Sequence, residues 1–549
     1  MNNLIQSTAA AYAYPLLIKQ LLHAPMAHAR TQEIVYRDLR RHSYAEFRVR
    51  IARLANALRA LGIEHGDTVA VMDWDSHRYL EAYFAVPMMG ATLMTVNVRL
   101  SNEQIAYTLN HSAAKLVLVN AEFAPVLDAI RDKLTSAKAF VLLSDESAAS
   151  DAGYAGEYEN LLASASSDFA FPDFDENTRA TVFYTTGTTG LPKGVSFSHR
   201  QLVLHTLATM GFMAASAPGQ CFRRDDVYMP ITPMFHVHAW GLPYVATAMG
   251  VKQVYPGRYD PKTLLKLKRA EGVTYSHCVP TILQMLLAVP AAETGDLQGW
   301  KMVIGGAALP KALCQAALER GIDVWAGYGM SESGPLLTNA QLKPHGAALT
   351  LDDEIAIRCK SGLPAPLVEL RLVDGDNQAL PHDGKATGEI VVRAPWLAQA
   401  YHDNPAASEA LWEGGYLHTQ DIGSIDAQGY LQITDRLKDV IKSGGEWVSS
   451  IAIEDLLGQH AAVAEAAVFG VKDDKWGERP IALVVAKPGR AAEANEAALK
   501  AHLQQFVASG VISKFSIPAT IHCVETIAKT SVGKINKRAL REQYATGSS

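Results

Sequence analysis

Residues 180–199 read ATVFYTTGTTGLPKGVSFSH, and this stretch decides the fold. A strand-like run leads into a loop of threonines and glycines, and VSF leads out of the loop as a second strand. Backbone amides, hydroxyl groups and the Lys193 ammonium can converge there on a polyphosphate. The spacing from Gly187 to Lys193 matches a Walker A loop, but Pro192 and Gly194 flank the lysine and no helix follows. The sequence therefore predicts a different kind of phosphate loop, with a surface hairpin turn as the alternative.

The segments on either side of this loop indicate a mainly parallel α/β protein. Residues 43–135 alternate between helix and strand periodicities, beginning with a helix predicted at 43–62 behind the cap Ser43. A second series of this kind runs from about 180 to 340. Residues 145–169, which are rich in serine, alanine, glycine and acidic residues, are predicted to be the surface connection between the two series.

The last third of the chain has a different pattern. From about residue 360, short strands separated by Gly and Asp turns predict a small β-rich unit, and after Lys438 a compact α+β series follows. We place the domain boundary at about residue 436, which gives domains at 1–436 and 437–549. The expected fold class is α/β, with a large N-terminal domain of two α/β subdomains and a small β-rich subdomain, and a smaller α+β C-terminal domain.

Composition excludes several classes of protein. With 549 residues, 48% hydrophobic and 19% charged, the chain is a folded globular protein of several units. A net charge of −6 gives no general attraction to nucleic acid or to an anionic membrane. The five cysteines lack C-x-x-C spacing, which favours the reducing cytoplasm. The apolar run at 82–96 is short and contains Pro87 and Gly90, so we expect no membrane span.

Two further motifs are typical of nucleotide binding. WAGYGMSESGP at 325–335 offers the ring of Tyr328 to stack on a purine and the carboxylate of Glu332 to hold Mg²⁺. A helix-terminal loop is the alternative there. VIGGAALP at 303–310 is predicted to be a strand that ends in two glycines and leaves a flat shelf of backbone for a planar base, with a plain strand-to-helix connection as the alternative.

Three weaker patterns complete the set of candidate residues. In PMFHVHAWG, the two histidines lack a third metal ligand nearby, so we expect His236 and Trp240 to line an apolar pocket. Asp421 and Arg436 lie on opposite strands of a predicted hairpin, where a carboxylate can accept ribose hydroxyls and a guanidinium can reach a phosphate. Lys534 lies in a basic tail, for which a solvated chain end is the alternative.

Taken together in this order, these motifs and DRLKD, KSGGEW and GKINKR resemble the adenylate-forming superfamily of acyl-CoA synthetases, firefly luciferases and peptide-synthetase adenylation domains. The resemblance runs from about residue 30 to 545. Within the superfamily, PMFHVHAWG, DRLKDVIKSGGEWVSS and WGERP are most similar to medium- and long-chain fatty acyl-CoA ligases and to methylmercaptopropionate-CoA ligases.

The resemblance implies a two-step reaction of a carboxylic acid, with a medium-chain fatty acid as the expected substrate. The carboxylate attacks the α-phosphate of Mg-ATP, which gives an acyl-adenylate and pyrophosphate, and coenzyme A then displaces AMP. The expected cofactors and co-substrates are ATP, Mg²⁺ and coenzyme A. A homodimer is an open expectation.

The resemblance also assigns roles to residues. The β- and γ-phosphates would contact Thr185, Thr186, Gly187, Thr188, Thr189 and Lys193. The adenine would lie against Gly305, Gly306, Ala307 and Tyr328, and the ribose against Asp421 and Arg436. The α-phosphate and magnesium would contact Ser331, Glu332 and Thr185. Lys534, Glu332 and His236 would be catalytic, and His236, Trp240 and Gly329 would bind the acyl group. Lys438 would be the hinge of a mobile C-terminal lid, and coenzyme A would contact Gly444, Gly445 and Glu446.

Two departures from the family pattern bear on activity. The family usually has Gly in place of Gln420, which could crowd the ribose, and Pro in place of Ala528, which could loosen the tail. Four alternatives remain: a CoA ligase for a short thioether or aromatic acid, a luciferase-like oxygenase, a nucleotide-binding paralogue without turnover, and an ATPase or phosphotransferase. The presence of Glu332, Asp421 and Lys534 argues against the paralogue, and the lack of a Walker A loop argues against the ATPase.

Overall fold

The protein is described by a computed structural model that covers residues 3–146, 153–185, 191–343, 349–443, 446–473, 475–530 and 534–545. The strands are β1 (Glu33–Tyr36), β2 (Arg40–Ser43), β3 (Thr68–Met72), β4 (Thr92–Thr95), β5 (Ala114–Asn120), β6 (Ala139–Leu143), β7 (Gly156–Glu157), β8 (Arg179–Tyr184), β9 (Gly194–Ser198), β10 (Val227–Pro230), β11 (Lys252–Tyr255), β12 (Tyr275–Cys278), β13 (Trp300–Ile304), β14 (Ile322–Gly329), β15 (Leu336–Asn339), β16 (Leu363–Pro364), β17 (Glu369–Val373), β18 (Gly388–Arg393), β19 (Trp412–Glu413), β20 (Tyr416–Ile425), β21 (Leu431–Arg436), β22 (Ile441–Ser443), β23 (Glu446–Val448), β24 (Val463–Asp473), β25 (Gly477–Ala486) and β26 (Thr520–Cys523).

The helices follow the same chain order. They are α1 (His23–His28), α2 (Tyr44–Ala60), α3 (His77–Met88), α4 (Asn102–His111), α5 (Ala124–Ile130), α6 (Tyr158–Ser164), α7 (His199–Ala214), α8 (Val237–Trp240), α9 (Leu242–Met249), α10 (Pro261–Glu271), α11 (Pro280–Ala288), α12 (Ala291–Thr294), α13 (Lys311–Glu319), α14 (Leu351–Arg358), α15 (Pro405–Glu409), α16 (Ser450–Gly458), α17 (Glu496–Ala508) and α18 (Lys537–Ala545). Short 3-10 helices occur at Ile18–Leu22, Ala121–Phe123, Arg131–Lys133, Ser331–Ser333 and Lys514–Ser516.

Two large sheets form most of the N-terminal part. Sheet I has the order β7-β6-β5-β3-β4-β8-β9 and is parallel except for the β8–β9 pair. Sheet II has the order β16-β15-β14-β13-β12-β10-β11-β1-β2 and is parallel from β14 to β1. The predicted parallel α/β class is therefore confirmed. The helix predicted at 43–62 is also present, as α2. The side chain of its cap, Ser43, forms a capping box with Glu46.

The chain divides between the two sheets differently from the sequence prediction. Strands β1 and β2 belong to sheet II, whereas β8 and β9 belong to sheet I. Part of the predicted surface connection is also structured: β7 extends sheet I, and α6 buries Tyr158 and Leu162. The spacing of these two residues places them on one helical face, but the polar residues around them masked this pattern.

Two smaller sheets follow. Sheet III consists of β17, β18, β20, β19 and β21 and is antiparallel, which confirms the predicted β-rich unit. Sheet IV consists of β23, β22, β25, β24 and β26, with α16, α17 and α18 packed around it. Among the described residues, we find no helix that is both long and apolar enough to cross a membrane.

Candidate active site

The site begins where two neighbouring parallel strands of sheet II end. Ile304 of β13 pairs with Ala326 of β14, so Gly305 lies beside Gly327. A β-carbon on Gly305 would lie 2.9 Å from the carbonyl oxygen of Gly327 and 2.9 Å from Cη2 of Trp240. A β-carbon does not tolerate contacts this close, so position 305 requires glycine. The backbone is therefore bare at this edge, as the predicted flat shelf requires.

Trp240 is held against this edge by an unusual turn. All four residues of α8 have positive φ, between 46° and 59°, so α8 is a left-handed turn. This conformation costs roughly 1–2 kcal/mol for each residue with a β-carbon. The indole of Trp240 packs on His277, with ring centroids 5.0 Å apart. Surrounding packing therefore fixes Trp240 in a strained position that separates two cavities.

The first cavity, which we call the apolar cavity, extends from the glycine edge towards α7. It has a volume of about 580 Å³ including its open mouth. Eight predicted site residues line it, namely His236, Trp240, Gly305, Gly306, Tyr328, Gly329, Ser331 and Lys534. The other lining residues include the apolar side chains of Met213, Val237, Leu242, Val303 and Leu336. Met213 is only 2% exposed and belongs to the hydrophobic core, but it also forms part of this cavity wall.

The second cavity, which we call the Arg99 cavity, lies on the other side of Trp240. It shares His236, Trp240, Gly306 and Lys534 with the apolar cavity. Its remaining lining combines four polar residues, Arg99, Thr232, Tyr259 and Thr281, with the apolar residues Ile231, Pro233, Val279 and Ile282. Arg99 is exposed, so this cavity reaches the protein surface at the arginine. The two cavities therefore meet at four side chains or backbone positions that sequence analysis had singled out.

Lys534 lies at this junction. A β-carbon on Gly306 would be 3.2 Å from Cε of Lys534, so the C-terminal domain is closed onto the glycine edge. Burial and Arg436 lower the pKa of Lys534 to about 8, although Asp421 and Glu332 act in the opposite direction. The alternative of a solvated chain end is wrong for this segment. Lys537 in the next turn also pairs with Glu454, at 2.9 Å.

His236 stays neutral in this environment. Burial, together with the nearby Lys534 and Arg99, lowers the pKa of His236 to about 3. The second histidine of the pair, His238, is fully buried and lies against the rings of Tyr83 and Phe183. His236 and Trp240 therefore line a pocket, as expected for the motif PMFHVHAWG. His238 instead belongs to the aromatic core.

The predicted ribose-binding pair forms across a hairpin as expected from the sequence. Asp421 of β20 pairs in register with Arg436 of β21, and their side chains approach to 3.4 Å. The hydroxyl of Tyr328 donates a hydrogen bond to Oδ2 of Asp421 at 2.7 Å. Burial raises the pKa of Asp421, while Arg436 and this hydrogen bond lower it. Tyr328 thus connects the predicted adenine and ribose positions directly.

Part of the phosphate loop lies outside the described residues. The predicted phosphate-binding residues Thr186, Gly187, Thr188 and Thr189 are among those not described. The predicted coenzyme A contacts Gly444 and Gly445 also lie outside the described residues. Thr185 and Lys193 form the neck of the loop, where the Thr185 amide donates to the Lys193 carbonyl at 2.9 Å. The loop is followed by β9 and not by a helix, so the prediction of a loop other than Walker A is confirmed. Glu446 lies in β23, and Ala307 lies beyond the glycine pair in an exposed position.

Glu332 lies in the 3-10 turn that begins at Ser331, and it is 7% exposed. The hydroxyl of Tyr401 donates to Oε1 of Glu332 at 2.6 Å. The ring of Tyr401 also lies 4.7 Å from Nζ of Lys193. Sequence analysis missed Tyr401 because it lies in none of the quoted motifs. Arg99 was missed too, although its place in the loop after a parallel strand could have indicated it.

The two departures from the family pattern have structural explanations. Gln420 has a φ of 59°, in the left-handed region that glycine adopts without strain, and its side chain is exposed. The tail after Ala528 is held by hydrogen bonds: Asn536 N donates to the Ala528 carbonyl at 2.9 Å, and Thr530 N donates to the Lys534 carbonyl at 2.7 Å. The carbonyl of Ala528 therefore anchors the hairpin that carries Lys534.

The fold and the site define a nucleotide-dependent enzyme, and comparison with known proteins gives its family. A family model described as "AMP-binding enzyme" matches residues 23–402, and one described as "AMP-binding enzyme C-terminal domain" matches residues 452–534. The chain belongs to the AMP-binding enzyme family, and the predicted superfamily is confirmed.

Relatives that match almost the whole chain include CoA ligases. The chain is 42% identical over 513 residues to a long-chain-fatty-acid–CoA ligase of Thermus thermophilus, which covers 92% of this chain and 91% of the relative. It is 38% identical over 542 residues to a 3-methylmercaptopropionyl-CoA ligase of Ruegeria lacuscaerulensis, with 96% and 97% covered. The solved anthranilate CoA ligase AuaEII in complex with anthranoyl-AMP has the same fold, with a TM-score of 0.85 at 24% identity over 97% of this chain and 98% of that one.

Proposed function

We propose that the protein is an AMP-forming acyl-CoA ligase that activates a medium-chain fatty acid. The observation that carries this proposal is the position of Lys534, which lies where the apolar cavity and the Arg99 cavity meet and is close enough to Glu332 and Asp421 for both carboxylates to raise its pKa. A carboxylate at this junction would have an ammonium on one side and a nucleotide site on the other.

The proposed reaction has two steps. In the first, a carboxylate oxygen bonds to the α-phosphorus of ATP and the bond from that phosphorus to the pyrophosphate oxygen breaks. The ammonium of Lys534 would stabilise the charge that develops between the carboxylate and the phosphate. In the second, the thiolate sulfur of coenzyme A bonds to the acyl carbon and AMP leaves with the shared oxygen, while the thiol proton goes to solvent.

We propose the following contacts for the nucleotide. Tyr328 and the glycine edge would frame the adenine with Ala307, and Asp421 and Arg436 would hold the ribose. Lys193 and the threonine loop would hold the β- and γ-phosphates, and Ser331 would face the α-phosphate. The hydrogen bond from Tyr328 to Asp421 supports the first two assignments because it joins them in one rigid unit.

The residues present fit a magnesium ion bound with ATP. Mg²⁺ prefers oxygen ligands and is usually held by one or two carboxylates together with substrate phosphates. Glu332 supplies such a carboxylate, and among the described residues only Oε1 of its two oxygens accepts a hydrogen bond. We propose Glu332, with the Thr185 hydroxyl, as the protein ligands. The ion would neutralise charge on the phosphates.

The two cavities suggest how the acyl group and coenzyme A enter. The apolar cavity would hold the acyl chain against Met213 and Leu242, and Trp240 would limit its extent. The Arg99 cavity would admit the thiol arm of coenzyme A from the surface, with Arg99 near an anionic part of that molecule. His236 would separate the two as a neutral group.

We also propose the predicted domain boundary at about 436. In support, β21 ends sheet III at Arg436 and β22 starts sheet IV at Ile441. The C-terminal domain 437–549 would be a lid that turns at Lys438 and presents Gly444, Gly445 and Glu446 to coenzyme A in the second step. A cytoplasmic location and a homodimer also remain proposals, which cell fractionation and light scattering would test.

The decisive experiment is carboxylate-dependent exchange of labelled pyrophosphate into ATP. Exchange with an acid, followed by acyl-CoA and AMP formation when coenzyme A is added, supports the ligase. Release of ADP and phosphate would contradict it, and light emission with luciferin would favour an oxygenase. A hydroxamate-trap series from C2 to C16 fatty acids, with thioether and aromatic acids, would then identify the acyl group.

A further inference from the structure

We propose that Tyr401 is a positioning residue that keeps Glu332 and Lys193 apart and ready for magnesium and ATP. This inference rests on the function proposed above. It concerns a side chain to which neither the motifs nor the family resemblance assigned a role.

The backbone around Tyr401 is fixed to the strand that leaves the phosphate loop. Tyr401 forms an isolated antiparallel bridge with Val195 of β9, and the amide of His402 donates to the Gly194 carbonyl at 2.8 Å. The amide of Tyr401 donates to Oγ of Ser408 at 2.9 Å. The Tyr401 ring therefore has a defined position relative to Lys193, which immediately precedes β9.

The same segment also holds Glu332. The amide of Ala398 donates to the Glu332 carbonyl at 2.8 Å, and the hydroxyl of Tyr401 donates to Oε1 of the Glu332 side chain at 2.6 Å. A hydrogen bond from a neutral donor to an ionised acceptor is stronger than a bond between two neutral groups. The carboxylate is thus fixed in orientation by one oxygen, and its other oxygen remains available.

Tyr401 contacts the cation as well. Nζ of Lys193 lies 4.7 Å from the centroid of the Tyr401 ring, within the range of a cation–π interaction. Within the described part of the chain, no ion pair within 4.0 Å joins Lys193 to Glu332. A single tyrosine therefore gives each charged group a neutral partner: its face for the ammonium and its hydroxyl for the carboxylate.

This arrangement matters because an ammonium and a carboxylate left beside each other would form an ion pair. Such a pair would have to break before Lys193 could bind phosphate and Glu332 could bind the metal. By holding both groups without pairing them, Tyr401 would preorganise the site before ATP and the metal ion bind. The hydroxyl and the ring have separate effects, so substitution can test them separately.

The experiment uses the full-length protein and Mn²⁺ as a spectroscopic probe, with an ATP analogue in which a methylene group replaces the α,β-bridging oxygen. Tyr401→Phe keeps the ring and removes the hydroxyl. We expect it to weaken Mn²⁺ binding in the ternary complex roughly tenfold, while the affinity for the metal-free analogue changes little. Tyr401→Leu removes the ring too, and we expect it to weaken both.

Tyr416 provides a matched control. Its hydroxyl also donates to a carboxylate, that of Glu369, and Arg371 and Arg393 lie on its ring. It is the first residue of β20 in sheet III and lines neither cavity. Tyr416→Phe should leave both affinities unchanged. Thermal unfolding of all three variants would separate a loss of fold from a loss of positioning, because Tyr401→Phe should unfold cooperatively like the wild type.

The outcomes are distinct. Weaker Mn²⁺ binding in Tyr401→Phe, but not in Tyr416→Phe, supports the inference, and so does an added loss of nucleotide affinity in Tyr401→Leu. If the wild-type protein catalyses pyrophosphate exchange but Tyr401→Phe binds Mn²⁺ with unchanged affinity, the inference is overturned and the proposed function is not. A wild-type protein without exchange overturns the proposed function and this inference with it.

Discussion

At the scale of single residues, the protonation of Lys534 should govern the first half-reaction. The pKa of Lys534 is lowered to about 8, so its ammonium is lost as the pH rises through this value. We expect kcat/KM for adenylation, which reports the free enzyme, to fall on the alkaline side of about pH 8. Lys534→Arg should remove this alkaline limb, because the guanidinium stays charged throughout that range.

The pH profile of pyrophosphate exchange checks this expectation. The neutral His236 should contribute no limb near neutrality, since its pKa is lowered to about 3. An alkaline limb that persists unchanged in Lys534→Arg would assign the titration to another group.

Gln420 makes a separate prediction about stability. Its φ of 59° strains any residue with a β-carbon, whereas glycine adopts this conformation readily. Gln420→Gly should therefore raise the free energy of unfolding by about 1 kcal/mol, after the larger entropy of glycine in the unfolded chain is deducted. Denaturant titration measures this change.

The control for that measurement is an exposed glutamine in ordinary strand conformation. Gln432 lies in β21 of the same sheet, and Gln432→Gly should lower stability. If both variants lost stability equally, the backbone at position 420 would not be the source of strain.

At the scale of elements, the left-handed turn α8 and the glycine edge of β13 together shape the apolar cavity, which we propose holds the acyl chain. Trp240 lines both cavities, so Trp240→Ala should join them and shift the preference towards longer acids. Gly305→Ala should act in the opposite direction, because its β-carbon would lie 2.9 Å from the Trp240 ring.

Profiles of activity against chain length from C2 to C16, measured as KM and kcat for each acid, check these two changes. Similar profiles for the two variants would show that Trp240 does not bound the acyl chain.

The same elements show what the sequence could predict. The strand before the threonine loop, the strand before Gly305 and the Asp421–Arg436 hairpin each follow from local periodicity and turn residues, and the structure has them. Tyr401 could not be found in this way, because its role depends on which chain segments meet in space. Arg99 could have been found only with the further rule that loops after parallel strands carry site residues. The placement of β1 and β2 in sheet II could not be predicted either, because strand order depends on pairing between distant segments, which periodicity does not encode.

At the scale of the whole molecule, a buried polar network joins the end of sheet III to the C-terminal domain. The amide of Ser450 donates to Oδ2 of Asp435 at 2.8 Å, and Asp435 is 1% exposed. Lys537 contacts the Ser450 hydroxyl and pairs with Glu454 at 2.9 Å. These contacts hold the closed arrangement that places Lys534 at the junction of the cavities. Rotation of a lid at Lys438 would move Ser450 and Lys537 away from Asp435, so the network would favour the first half-reaction.

Two variants should separate the half-reactions. Lys534→Ala should slow adenylation by about two to three orders of magnitude, typical of losing one positioned charge, because in the proposed mechanism its ammonium would contact the reacting groups in the closed arrangement. It should still convert a supplied acyl-adenylate to the thioester, since thiol attack needs no charge from Lys534. Lys438→Pro should do the reverse, because proline fixes φ and would hinder rotation away from the closed state.

Pyrophosphate exchange measures the first half-reaction, and release of AMP from supplied acyl-adenylate and coenzyme A measures the second. Asp435→Asn provides an internal comparison: it weakens the closed network without touching the hinge, so it should slow exchange and leave thioester formation unimpaired. Lys438→Pro should therefore show the opposite pattern to Lys534→Ala and Asp435→Asn across the two assays, which a general loss of stability cannot imitate. Equal losses in both assays for Lys534→Ala and Lys438→Pro would contradict an alternating lid, even if the protein formed acyl-CoA, because one fixed arrangement would then serve both steps.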